Sequence, residues 1–154
     1  MKIYLAGSCS SDSRTLLVRL AKALRASSNN YEVYCPFELK IENAWDMSQE
    51  QWADKVYRED IKALNSCDVL IVITPGRHSS AGINYEQGFA KAVGIPVIVM
   101  QYTDDETSLM TYCGCNIFRN TNKKDIIWDT QCALRVLKEE NYSEYKVRCK
   151  TTLT

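Results

Sequence analysis

Two acids in this chain stand where helical spacing sets them beside residues that ordinarily line a core or a cleft. Glu86 is four residues from both Gly82 and Ala90, so on a helix it shares a face with small side chains. Gly88 thins that helix further, as if the backbone must approach something closely. Asp60 is four residues from both Val56 and Leu64, on or beside an apolar stripe. Each acid has a plain reading and a chemical one. Glu86 is either a helix-start acid favoured by the helix dipole or a carboxylate lining a pocket. Asp60 is either an edge residue reaching water or a functional carboxylate aimed into a cleft. Hydroxyls make a second group, in Gly7-Ser8-Cys9-Ser10-Ser11-Asp12-Ser13 and in His78-Ser79-Ser80, each just ahead of a helix. Such hydroxyls are ordinary N-caps, yet a Gly-Ser loop running into a helix also offers N–H groups and hydroxyls to an anion. The dinucleotide fingerprint and the Walker A pattern are both absent.

The elements that must position these residues follow from hydrophobic patterning. Val69–Ile73 and Val97–Val99 are unbroken β-branched apolar runs, the mark of strands buried on both faces and hence of a parallel sheet. Between them one helix starts near Ser80 and is ended by Gly94 and Pro96, giving a βαβ crossover. Lys2–Ala6 reads as a first strand, followed by a helix with Leu16, Leu17, Leu20, Ala21 and Leu24 at helical spacing. Tyr31–Cys35 reads as a short second strand stopped by Pro36. Residues 36–47 form a loop able to cover a ligand, in which Trp45 is either part of that cover or a packing anchor. Ser48 to Ser66 is a helix with Ser48 and Gln51 as its capping box and a stripe of Trp52, Val56, Ile61 and Leu64. Asn116–Phe118 is a strand fragment and Lys124–Lys138 a last helix; the polar tail beyond Asn141 carries no signal. This alternation predicts an α/β, Rossmann- or flavodoxin-like, doubly wound and mostly parallel five-stranded sheet with helices on both faces. Such sheets bind ligands outside the carboxyl ends of the strands at the switch point. With strands one and three adjacent, the Gly7-Ser8 and His78-Ser79-Ser80 loops meet there.

The 154 residues make one domain, 1–154, with formal charges that cancel, so a nucleic-acid polymer is not an expected partner. The opening Met-Lys-Ile-Tyr-Leu-Ala-Gly is too short an apolar run for a signal peptide or a membrane span. Seven scattered cysteines without a secretion signal read as reduced thiols of a cytosolic protein. Cys113-Gly-Cys115 lacks the spacing of zinc and redox motifs, so neither a metal nor another cofactor is expected.

From Lys2 to about Met110 the chain resembles the nucleoside 2-deoxyribosyltransferase superfamily. The residues that carry the resemblance are Ile3-Tyr4-Leu5-Ala6-Gly7, Asp60 eight residues before Asp68, and Ser80-Ala81-Gly82-Ile83-Asn84-Tyr85-Glu86-Gln87-Gly88. It implies Glu86 as nucleophile, Asp60 as its carboxylate partner and Tyr4 as an orienting hydroxyl, and so reverses the plain readings of both acids. The residue types suit the chemistry. N-glycosidic cleavage passes through an oxocarbenium-like state that a carboxylate at C1′ can stabilise and then trap. Water resolving that intermediate makes a hydrolase; a second base makes a transferase.

Six residues before Glu86, where transferases of the superfamily carry Asp, stands Ser80. The 2′-deoxynucleoside 5′-phosphate N-hydrolase branch has Ser there, a Ser after the first-strand Gly, matched by Ser8 beside Gly7, and a later Ser-x-Met, matched by Ser108-Leu109-Met110. That similarity implies a 5′-phosphate held by Ser8, Ser80 and a Ser108 from the neighbouring subunit, hence at least a homodimer. An Asp suited to a free 5′-hydroxyl would repel a phosphate dianion, whereas Ser donates a hydrogen bond. The expected activity is N-glycosidic hydrolysis of a (2′-deoxy)nucleoside 5′-monophosphate. The alternatives are a deoxyribosyltransferase acting on unphosphorylated nucleosides and a non-catalytic nucleotide-binding module.

Overall fold

The two unbroken apolar runs lie at the middle of the molecule. The computed structural model describes residues 1–139; the tail beyond Asn141 and Cys149 lie outside the described residues. In chain order the elements are β1 (Lys2–Gly7), α1 (Ser11–Arg25), β2 (Glu32–Tyr34), α2 (Gln49–Asn65), β3 (Val69–Thr74), α3 (Ala81–Ala92), β4 (Val97–Gln101), α4 (Leu109–Cys113), β5 (Ile117–Asn120) and α5 (Ile126–Glu139). The five strands form one sheet in the order β2-β1-β3-β4-β5, and all four pairings are parallel. The fold is therefore doubly wound α/β, with its switch point between β1 and β3.

Each strand has two faces, and the register sorts its side chains between two cores. Ile3, Leu5, Val69, Ile71, Ile73, Ile98, Met100 and Ile117 pack with Leu17, Leu20 and Leu24 of α1 and with Leu134 of α5. Tyr4, Ala6, Leu70, Val72, Val97, Val99 and Phe118 form the opposite face with Leu64 of α2 and Ile83 and Ala90 of α3. All six residues of β3 are buried, which is why no polar alternation interrupts that segment.

Local chemistry sets the helix boundaries. Ser10 caps α1 and Ser80 caps α3, their hydroxyls accepting from the N–H of Ser13 and Ile83. Ser48 and Gln51 make both bonds of the expected capping box. At the far end of α3, Gly94 takes φ of 80°, a left-handed turn that glycine adopts without strain.

Three expectations change. Trp45 is not a packing anchor: it is 86% exposed, on a short 3₁₀ turn (Ala44–Asp46). The stripe along α2 buries only its last member, Leu64, with Ile61 packed partly against the core, and leaves Trp52 45% exposed. Gly88 approaches nothing closely; a Cβ there would meet no atom within 4 Å. The short α4 was not apparent in the polar stretch that precedes it. Among the described residues no helix is long and apolar enough to cross a membrane.

Candidate active site

The site begins with the alternation of β1. Its register turns Tyr4 toward α2 and α3, and burial of the ring is complete. A phenol so placed resists ionisation: burial first, then the nearby Glu86 charge, push its pKa far above the ordinary value. Tyr4 is thus held as a donor, and its hydroxyl donates to Glu86 Oε1 at 2.7 Å. Glu86 lies in the second turn of α3, with no acid in the first turn, so its position is not that of a helix-start acid. Its carboxyl is pushed up to about 7 by burial, with the Asp60 charge adding to the rise and the Tyr4 hydrogen bond opposing it.

Asp60 reaches the same pocket from α2. It is half-buried, and it accepts a hydrogen bond from the Tyr34 hydroxyl at 2.7 Å, so it is not an edge residue directed only at water. Burial raises its pKa, the Tyr34 bond works against that rise, and the charge of Glu59 adds to it. Tyr4 and Tyr34 are register partners on adjacent strands, their rings stacked with centroids 5.2 Å apart.

The carboxylates open on a cavity of about 300 Å³ lined by Tyr4, Tyr57, Asp60, Ile61, Gly82, Tyr85 and Glu86. Gly82 leaves room one helical turn before Glu86, since a Cβ there would meet only the Ser80 hydroxyl, at 3.9 Å. Across the α2–α3 gap the hydroxyls of Tyr57 and Tyr85 are 2.9 Å apart. Two carboxylates in one pocket, one held near neutrality by burial, are the groups required for covalent and acid–base chemistry at an electrophilic carbon.

Of the residues singled out from sequence, Tyr4, Asp60, Glu86 and Gly82 come together in this cavity. Gly7, Ser8 and Ser80 do not line it; they lie at the carboxyl-terminal edge of the sheet, where Gly7 pairs with Ile73. The missing side chain of Gly7 makes room for α1, because a Cβ would stand 2.3 Å from Leu17 and 2.9 Å from the Ser13 hydroxyl. Ser80 caps α3 with a lone pair, which leaves its proton free to donate. Ser8 and Ser10 share one hydrogen bond of 2.9 Å, so one of their two protons also remains available.

Ser108 and Met110 stand elsewhere. They line a groove of about 630 Å³ on the other flank of α3, with Asn84, Gln87, Gly88 and Lys91. There the buried amide of Gln87 ties α4 to α3 by donating to the Thr111 carbonyl at 2.8 Å. Sequence reasoning missed Tyr57 and Tyr85, which line the pocket, and Tyr34, which reaches it through Asp60. Tyr85 adjoins Glu86 and Tyr57 lies one turn before Asp60, a spacing that could have revealed both. Tyr34 had no such local signal. No group of three or more His, Cys, Asp and Glu is placed to hold a metal among the described residues.

A parallel 2-1-3-4-5 sheet whose first two strands carry tyrosines bonded to carboxylates of α2 and α3 is an α/β enzyme fold. The chain belongs to the nucleoside 2-deoxyribosyltransferase family, whose sequence profile it matches over residues 3–139. Solved structures agree on the fold. One similar structure is a 2-deoxyribosyltransferase from the psychrotolerant bacterium Bacillus psychrosaccharolyticus, at TM-score 0.66 and 21% identity, covering 82% of this chain and 90% of that one. Another is the CMP N-glycosidase BcmB of Clostridium botulinum, at TM-score 0.61 and 22% identity, covering 86% and 99%. A third is a conserved protein of Enterococcus faecalis V583, at TM-score 0.59 and 18% identity, covering 86% and 98%. No curated protein matches the chain in sequence.

Proposed function

We propose that this chain hydrolyses the N-glycosidic bond of a (2′-deoxy)nucleoside 5′-monophosphate, releasing free base and (deoxy)ribose 5-phosphate. The observation that carries the reading is the buried Tyr4–Glu86 hydrogen bond beside Asp60. With Oε1 bonded to Tyr4, the other oxygen of ionised Glu86 attacks C1′ as the C1′–N bond breaks. The departing base takes a proton from an ordered water held by Asp60, which is itself ionised when Glu86 is. The hydroxide so formed attacks C1′ of the glycosyl-enzyme and frees Glu86. Because Glu86 must be ionised to attack, kcat/KM of the free enzyme rises with pH through about 7.

In this reading Ser8 and Ser80 donate to the 5′-phosphate, each beside a helix N-terminus whose dipole favours an anion. Ser108 completes the phosphate site from the neighbouring subunit of a cytosolic homodimer, with Met110 beside it. Its place in the α3–α4 groove, away from the Glu86 cavity of its own chain, favours action in trans. Ser80→Asp tests the assignment cleanly, because Asp caps a helix as well as Ser and the fold is unaffected.

The experiment is chromatography of base released from a panel of nucleoside 5′-monophosphates and their unphosphorylated counterparts, with wild type and Ser80→Asp. Release from monophosphates, with the preference lost in the variant, is expected. Base exchange between unphosphorylated nucleosides would make the chain a transferase, and binding without release would make it a nucleotide-binding module.

A further inference from the structure

Tyr34 ends β2, the three-residue edge strand, and it forms the last register pair with Tyr4 of β1. Both rings therefore leave adjacent strands at one level and on one face. They stack at 22°, and each hydroxyl ends 2.7 Å from a carboxylate carried by a different helix, Glu86 on α3 and Asp60 on α2. We propose that Tyr34 is a positioning residue for Asp60, the counterpart of Tyr4 for Glu86, and that the two stacked tyrosines hold both carboxylates as one unit.

This inference rests on the reading of Asp60 as the partner of Glu86. Packing of α2, with Leu64 buried and Ile61 and Ala63 partly so, brings Asp60 to the pocket but leaves its side-chain rotamer open. The hydrogen bond from Tyr34 to Oδ1 supplies the missing constraint, fixing the rotamer and leaving Oδ2 for substrate. It also favours the ionised carboxylate against the effect of burial. The groups facing Asp60 are Tyr34 from β2, Tyr4 from β1, Glu86 and Tyr85 from α3, and Tyr57 and Glu59 from its own helix. Of these, Tyr34 lowers the Asp60 pKa and Glu59 raises it. The Asp60 charge in turn raises the pKa of Glu86. Loss of the Tyr34 hydroxyl thus makes Asp60 hold its proton to higher pH.

Tyr34→Phe keeps the ring and the stack and removes only the hydroxyl. The full chain, labelled with ¹³C at the Asp and Glu carboxyl carbons, is titrated by NMR in wild type and variant. The Asp60 midpoint is expected to rise by about one pH unit, the scale of one hydrogen bond to a charged group. A role in packing alone would change thermal stability and leave that midpoint in place, and that result overturns the proposal. Should Tyr34→Phe not fold, Asp60→Asn reads the same bond from the other side. The Tyr34 phenol, held above its ordinary range by burial and Asp60, then ionises at lower pH; an unchanged phenol titration overturns the proposal. Both titrations are read without turnover, so a chain that releases no base still reports on Tyr34, and failure here leaves the proposed reaction to its own test.

Discussion

Helix α3 presents two flanks of opposite character. One flank carries Gly82, Tyr85 and Glu86 to a cavity of about 300 Å³, where two carboxylates lie under tyrosine hydroxyls. The other carries Asn84, Gln87, Gly88 and Lys91 to a groove of about 630 Å³, where the other lining residues are Ala92, Gly114, Ser108, Met110 and Thr111. The larger opening holds no acid among its lining residues, and the smaller one holds the acid whose pKa is pushed up to about 7. The perturbed acid thus lies where charge is buried and not where the opening is larger. Small residues serve different ends on the two flanks: Gly82 makes room beside Glu86, whereas at Gly88 a Cβ would meet nothing within 4 Å among the described residues.

Short of removing Glu86, the strongest perturbation of the pocket flank is Asp60→Asn, expected to lower kcat/KM for base release by about 100-fold. It also removes a charge that holds the Glu86 pKa up, so the acid limb of the pH profile moves to lower pH. Tyr4→Phe removes the bond that holds the Glu86 pKa down, so the same limb moves to higher pH, with activity at neutral pH down about tenfold. Opposite displacements of one limb by two neighbours of Glu86 sharpen the assignment of that limb; displacements in the same direction would break it.

Perturbations of the groove flank should spare the chemistry within a chain and act on assembly. Met110→Arg replaces an 82% exposed apolar side chain with a charge, and is expected to shift a dimer toward monomer in sedimentation velocity. The smallest effect is that of Gly88→Ala. A Cβ there meets nothing within 4 Å, so the gain in helix propensity should appear as about 0.5–1 kcal/mol of added stability in urea unfolding. A loss of stability would mean that a neighbouring surface occupies the groove.

The sequence made some of this legible and not the rest, for identifiable reasons. β3 and β4 are readable because burial on both faces leaves no polar residue in the run. The capping box of α2 is readable because its bonds are made within four residues. Glu86 and Asp60 are visible as acids on small or apolar helical faces, but spacing alone leaves each with a plain reading, and the resemblance chose between the two. Tyr34 could not be found locally: its function depends on the β1–β2 register and on a carboxylate 26 residues away. Trp45 and Trp52 misled for the opposite reason, since large apolar side chains imply burial and these are 86% and 45% exposed among the described residues.

The most direct test of the central claim is base release and stability measured together on wild type and Glu86→Gln. Burial in the folded protein pushes the Glu86 carboxyl up to about 7, above its ordinary value of 4.5, so folding favours its protonated form. The stabilisation from that proton is complete below about 4.5 and is lost as pH rises through about 7. Above that range an ionised, buried Glu86 opposes folding by up to about 3 kcal/mol, a contribution that Gln removes. The account predicts a variant that is more stable than wild type at pH 8, no more stable at pH 4, and slower in base release by about a thousandfold or more. Base release by Glu86→Gln at the wild-type rate would contradict it, whatever the stability.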